Sequence, residues 1–327
     1  MHDPHATQPP PGVSAAPHVR TVDGLLAPSL VDGPVLAHEH LALDLTRGSD
    51  SAAVLGQAHR GQVTAELSGL RQEYGLSLVI ELTCRGMGRD VRALREISAG
   101  SGVAVVAATG WYYEPFHPRE VAGTDAGELA EKLLREIGGG LDSTHVRPGV
   151  IGEVGSHGES PSEPEVRTLT AAARAAVASG LSLATHAQLG RGGLAQLEVL
   201  GAQGLAPHRV SIGHQDLLDA PEVHRELAAA GCYVAFDTVG KESYQSDETR
   251  LRLLLALLEA GHADRVLLSC DVSRFGYLRS EGGGGYGHLF RSFLPRLRAE
   301  GADEGLIDLL TRRNPLRFLT GAACEES

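Results

Sequence analysis

Eight short apolar runs recur along this chain, and what separates them reads as helix. The runs are "VLAHEH" (35–40), "LSLVIELT" (76–83), "VAVVAATG" (103–110) and "PGVIGEVG" (148–155), followed by "LSLATH" (181–186), "RVSIGH" (209–214), "CYVAFD" (232–237) and "RVLLSCD" (265–271). Between them lie segments such as "AGELAEKLLREIGGG", with apolar residues at helical spacing and glycines at the end. "SEPEVRTLTAAARAAVASG" opens on Ser162, Glu163 and Pro164, which marks a helix start. Strand alternating with helix eight times is the pattern of a (β/α)8 barrel. A doubly wound open sheet is the alternative, but eight units favour closure. No Pro/Gly/Ser linker divides residues 21–320, so one domain is expected there, between a disordered Pro/His-rich leader at 1–20 and a tail at 321–327. Residues 21–34 should form a hairpin capping the barrel floor, and 303–320 a closing helix.

The ends of these runs carry the chemistry. Strand one ends in His38 and His40, strand four holds Glu153, strands five and six end in His186 and His214, and strand eight ends in Asp271. A barrel gathers its C-terminal strand ends on one rim around one cavity. Side chains at i and i+2 of a strand share a face, so His38 and His40 would point the same way. Imidazoles suit zinc and related ions, and a carboxylate can join two of them. Six such ligands exceed the three that a catalytic zinc commonly takes from protein, so two divalent ions are expected, zinc first and manganese or another transition metal next. Water between two ions is acidified toward hydroxide, a ready nucleophile. Asp271 is placed both to bind metal and to take the nucleophile's proton.

The remaining features narrow the class. A formal charge of −12 disfavours nucleic acid and anionic membranes as partners, leaving a small molecule, with a homodimer open. Cys84, Cys232, Cys270 and Cys324 form no C-x-x-C pair and fit a reducing compartment. With no signal-peptide pattern and no apolar stretch of spanning length, a cytoplasmic protein is expected.

These residues resemble the amidohydrolase superfamily and, more closely, its phosphotriesterase family. "LAHEHL", "GRDV" (88–91), "ATGWYY", "THAQ", "IGHQD", "FDTVGKESYQSDETR" and "NPLRFL" (314–319) match that family's segments in order across roughly 24–320. The resemblance implies metal ligation by His38, His40, Glu153, His186, His214 and Asp271. Organophosphate-hydrolysing members carry a carboxylated lysine on strand four, where this chain has Glu153. In that it is similar to the phosphotriesterase homology and phosphotriesterase-related branch, with Glu as the bridging ligand. The resemblance therefore implies a hydrolase acting on a carboxylic ester, lactone or amide, with phosphoester or phosphotriester hydrolysis as the alternative. A barrel that binds without catalysis is a third reading, disfavoured because all six ligands are present.

Other residues could meet substrate. Tyr112 and Tyr113 follow strand three in an aromatic cluster, and Lys241 and Arg274 follow strands seven and eight, where a cation could hold an anionic group. "SEGGGGYGHLF" (280–290) reads as a mobile loop over the site rather than a phosphate loop, with Tyr286 and His288 able to reach inward. His157, His208 and His262 fall outside the strand-end pattern and are expected at the surface.

Overall fold

The computed structural model describes residues 18–46 and 50–322. A hairpin of β1 (Val19–Thr21) and β2 (Gly24–Leu26) precedes the first barrel strand, β3 (Val35–Glu39). The loop after β3 carries a small antiparallel pair, β4 (Leu43–Asp44) and β5 (Val54–Leu55). Next come α1 (Arg60–Tyr74), β6 (Leu78–Glu81), α2 (Val91–Ser101), then β7 (Ala104–Val106) and β8 (Ala108–Thr109), which are one strand interrupted at Ala107. The alternation continues through α3 (Ala126–Gly139), β9 (Val150–Ser156), α4 (Glu163–Ser179), β10 (Leu183–Ala187), α5 (Gly193–Gly201) and β11 (Val210–Ile212). It ends with α6 (Pro221–Ala229), β12 (Tyr233–Phe236), α7 (Asp247–Glu259) and β13 (Val266–Leu268). All eight expected strands are therefore present.

Neighbouring strands pair in parallel in the order β3-β6-β7 and β8-β9-β10-β11-β12-β13. The ring closes between the last strand and the first, where the Asp271 N–H donates to the His38 carbonyl at 3.3 Å. With both faces covered, alternate strand residues sort into two cores. Val35, Leu78, Ile80, Val150, Ala184, Tyr233 and Leu267 fill the barrel interior, while Leu36, Val79, Val105, Ile151, Leu183, Ile212, Val234 and Val266 meet the helices.

Local chemistry sets the helix starts. Asp90 accepts from the Arg92 and Ala93 amides at the head of α2, and Asp125 does the same for α3. At α4, whose start the sequence marks at Ser162, Glu165 reaches back to accept from the Ser162 amide at 2.9 Å.

The hairpin seals the floor: Val22 N–H donates to Val105 O, and Val19 and Val31 pack with Leu316, Phe318 and Leu319. Val19 and Arg20, expected in the leader, belong instead to β1 because their strand pairing extends two residues further back. The rest of the leader (1–17), the tail from 323 and Cys324 lie outside the described residues. The closing helix at 303–320 is three segments, α9 (Glu304–Asp308), a π turn (Leu309–Arg313) and α10 (Asn314–Thr320), preceded by α8 (Leu294–Ala299). Among the described residues no helix is long and apolar enough to cross a membrane.

Candidate metal centre

Two β-bulges aim the central residues. On β3, Leu36 and Glu39 pair with Val79 and Glu81, so β3 spends one residue more than its neighbour. On β9, Ile151 and Val154 pair with Leu183 and Thr185, again one residue more. An extra residue shifts the side-chain alternation by one. Without these shifts His38 and Glu153 would follow Leu36 and Ile151 toward the helices. With them, His38, His40 and Glu153 meet inside the rim.

The donor atoms then converge on Glu153. Its Oε2 lies 3.4 Å from His38 Nε2, 3.3 Å from His186 Nδ1 and 3.6 Å from His214 Nε2, and its Oε1 lies 3.4 Å from His40 Nε2. Asp271 Oδ1 is 3.2 Å from His40 Nε2, and His214 Nε2 is 2.9 Å from His186 Nδ1. Two donors bound to one zinc at about 2.0–2.1 Å and tetrahedral angles stand roughly 3.3 Å apart. Apart from the tight His186–His214 pair, the cluster already has that spacing. Among the described residues His38 Nε2 and Asp271 Oδ1 are buried without a hydrogen-bond partner, which is costly unless an ion takes their lone pairs. Geometry and donor chemistry both fit divalent metal. Two donor groups share Glu153: His38 with His40, and His186 with His214.

Buried carboxylates and hydroxyls hold the imidazoles in place. Asp237 bridges two of them, with Oδ2 2.7 Å from His38 Nδ1 and Oδ1 2.9 Å from His214 Nδ1. Thr83 Oγ1 meets His40 Nδ1 at 2.9 Å, and Gln188 Oε1 meets His186 Nε2 at 2.7 Å. Such partners fix ring tautomer and orientation. Sequence reasoning passed over Asp237 even though it ends the run "CYVAFD" at the same strand-end position as the candidate ligands. Glu39, between the two histidines, points the other way and stitches the seam. It accepts from Ser269 Oγ and from the Cys270 and Val272 amides, each at 2.8 Å, flanking Asp271. His214 and Asp271 both sit at positive φ, 58° and 48°. This uncommon backbone is held by the Asp237 contact to the His214 amide and by the seam bond of Asp271. Gly213, before His214, leaves room that any Cβ would lose to Thr185 O.

Mutual charge overrides burial here. Burial lowers the His38 imidazole, yet Glu153 and Asp237 hold it well above its ordinary value. His40 rises to about 9 against burial, through Asp271 and Glu153. Glu153 is held low against burial by His38 and His186, and Asp271 is held low against burial by Lys241 before the histidines. Imidazoles that attract protons around carboxylates that refuse them make a centre that stabilises positive charge.

Above the cluster opens a cavity of about 230 Å³, whose lining includes Met87, Tyr112, Tyr113 and Phe116 as well as Lys241, Tyr244, Ser273 and Arg274. Tyr113 stacks on His186 with centroids 5.0 Å apart, and the Tyr112 hydroxyl is 3.3 Å from His186 Nδ1. Lys241 is buried against Asp271 Oδ2 and Ser273 Oγ. Arg274 lies nearer solvent and pairs with Asp50 at 2.8 Å. Tyr286 does not reach the cavity. It is fully buried behind strand one, its hydroxyl donating to His40 O at 2.7 Å, because packing against β3 draws the ring inward. His288 likewise turns away, to Asp247 Oδ2 at 2.7 Å. His157 is exposed, as expected, and contacts Glu165.

A closed (β/α)8 barrel with these imidazoles and carboxylates at its C-terminal rim is the architecture of the amidohydrolase-type barrel hydrolases, and the chain is a hydrolase of that class. Comparison with known proteins narrows this further. The model of the phosphotriesterase family matches residues 17–319. The phosphotriesterase homology protein of Escherichia coli is 37% identical over 286 residues, covering 88% of this chain and 97% of that protein, and its crystal structure superposes with a TM-score of 0.85. The rat N-acetyltaurine hydrolase is 30% identical, with 79% of each chain covered. A mutant of a phosphotriesterase-like lactonase from Deinococcus radiodurans is 31% identical, covers 92% of this chain and 99% of its own, and has a TM-score of 0.82. The chain belongs to the phosphotriesterase family.

Proposed function

We propose that this hydrolase is binuclear and cleaves a carboxylic ester, lactone or amide. The observation that carries the reading is the convergence of two donor sets on Glu153. His38, His40 and Asp271 would hold one ion and His186 and His214 the other, with Glu153 shared. Mixed imidazole and carboxylate donors favour zinc, with manganese next. Two such ions would acidify a shared water and polarise the attacked carbonyl. Asp271 would accept a proton from the attacking water, Lys241 keeping it ionised and turned so that Oδ1 faces inward. As the water oxygen bonds to carbon, the bond to the leaving oxygen or nitrogen breaks, and Asp271 returns the proton to it. Tyr112 and Tyr113 would flank the acyl group and exclude water. The relatives named as an N-acetyltaurine hydrolase and a lactonase support acyl chemistry. Phosphoester hydrolysis is the second reading, favoured by the Escherichia coli relative, whose structure holds phosphate in its active site.

Elemental analysis of the purified protein should find about two equivalents of divalent metal. A panel of lactones, N-acyl amino acids and phosphoesters, assayed with zinc or manganese, separates the two chemistries. Asp271→Asn should lower kcat by roughly 10²–10⁴ with the circular dichroism spectrum intact. A protein that takes up no metal, or a variant keeping a tenth of the activity, would overturn the reading.

A further inference from the structure

Asp50 and Arg274 belong to different loops, one between β4 and β5 and the other after β13, and both line the cavity. Their side chains are 39% and 30% exposed, so the 2.8 Å pair is a partly solvated one. Such pairs contribute only about 0–1 kcal/mol, which makes this one easy to open. Arg274 does not depend on Asp50 for its position. Its guanidinium lies over the Tyr277 ring, 4.9 Å from the centroid, and the same ring sits 5.2 Å from Lys241 Nζ. Among the described residues its other hydrogen bond is a long one, 3.4 Å from Nη2 to the Tyr244 hydroxyl. Among the described residues its Nε is buried without a hydrogen-bond partner.

The cavity's charge points the same way. Glu153, Asp271 and Asp50 face Lys241 and Arg274 around it. Lys241 is committed to Asp271, so among the described residues lining the cavity Arg274 is the cation free to change partners. Two divalent ions would exceed the charge of Glu153 and Asp271, making the loaded cavity positive within a chain of net charge −12. The lining also includes Met87 and Phe116, apolar side chains that suit an acyl group.

We propose that Asp50 and Arg274 form a latch that an anionic group on the substrate opens, taking Asp50's place on Arg274. The preferred substrates are then amides or esters whose leaving amine or alcohol ends in a carboxylate or another anion, rather than neutral lactones. This rests on the hydrolase reading above for the scissile bond, but the latch itself is a property of the chain's own side chains.

Two measurements test it separately. In turnover, wild type should prefer N-acetyl-β-alanine to the neutral N-acetylethanolamine. Arg274→Gln should reduce that preference about 10- to 100-fold, through KM rather than kcat, the size expected for a lost charge-assisted bond. Arg274→Lys should restore part of it, and Asp50→Asn should lower KM for the acid up to about fivefold. Equal losses on both substrates in Arg274→Gln, or a raised KM for the acid in Asp50→Asn, would overturn the latch. In binding, calorimetry on the protein as purified compares glutarate, which has no scissile bond, with butyrate, which lacks the second carboxylate. Wild type should bind glutarate more tightly and Arg274→Gln should not; no difference between the two acids in wild type also overturns the latch. A protein that selects glutarate through Arg274 yet hydrolyses neither amide supports the latch and counts against the proposed amide chemistry instead.

Discussion

Replacing Asp237 with asparagine should separate the two halves of the proposed metal centre. Asp237 Oδ1 has two donors to satisfy, the His214 amide and His214 Nδ1, both at 2.9 Å, whereas Oδ2 has one, His38 Nδ1 at 2.7 Å. The asparagine carbonyl therefore takes the Oδ1 position and its NH2 group faces His38. Donor then opposes donor, and His38 must move its proton to Nε2. That is the atom 3.4 Å from Glu153, whose lone pair an ion needs. A charge-assisted bond of about 1.5–3 kcal/mol is lost, which corresponds to roughly 10- to 100-fold in affinity at the His38 side. The His214 side keeps both of its bonds. Graded chelator competition on the zinc-loaded protein, with metal counted by elemental analysis, should show one equivalent released at 10- to 100-fold lower chelator strength and the second within about threefold of wild type. Asp237→Ala, which removes both contacts, should weaken both equivalents. If the asparagine variant loses both together, or neither, Asp237 does not set the imidazole tautomers.

Three further outcomes follow from other parts of the fold. Glu153→Gln should lower metal content and activity together, and bicarbonate should not speed reconstitution of the metal-free protein; a marked bicarbonate effect would point to a carboxylated lysine in its place. Arg250, fully buried, bonds to Asp216 at 2.6 Å and to Asp247 at 3.2 Å and donates to the Lys241 carbonyl, so it buttresses the loop after β12. Arg250→Met should cost about 3–5 kcal/mol in urea unfolding by stranding those carboxylates, and a loss below 1 kcal/mol would mean that they find other partners. His224 on α6 is pushed down to about 4 by burial, against the pull of nearby peptide groups. The unfolded chain therefore takes up a proton near pH 6.5 and the native one only near 4, so stability is full above 6.5 and falls as pH drops through that window, by at most about 3 kcal/mol. His224→Phe should flatten this limb; urea midpoints falling in parallel for both proteins between pH 7 and 4 would exclude His224 as its source.

The eight strands were legible because a strand buried on both faces must be apolar throughout, and the candidate ligands stand out in sequence because they interrupt that apolarity at equivalent ends. The bulges were not. Nothing in "VLAHEH" or "GVIGEV" marks where one residue is left out of the ladder, since a bulge is a relation between two strands and its partner lies about 30–40 residues away. The expected common face of His38 and His40 is met inside the rim by way of that shift. Tyr286 was misjudged for a similar reason. Its glycine-rich surroundings suggest a loop over the site, whereas its position is set by the His40 carbonyl, 246 residues earlier. Contacts of that span leave no local trace. Asp237 was open to discovery by the strand-end rule, but a carboxylate that orients ligands looks in sequence like one that binds metal.

That ambiguity has a physical root. Buried carboxylates at this rim do three different jobs, and burial alone would raise all of them. Glu39 goes up to about 7, burial outweighing the three donors that it accepts, and closes the barrel seam. Glu81 also rises to about 7 and caps the Leu41 and Thr83 amides. Glu153, Asp237 and Asp271 are instead drawn low because cationic partners surround them. The difference lies in neighbours supplied by other strands. A closed barrel brings those neighbours together by making the last strand adjacent to the first. Asp271 thereby meets His40, and Glu39, held between two inward-facing histidines, fixes the seam at which they meet. Barrel closure and assembly of the site are thus one event, and a change that loosens the seam should be felt first at Asp271.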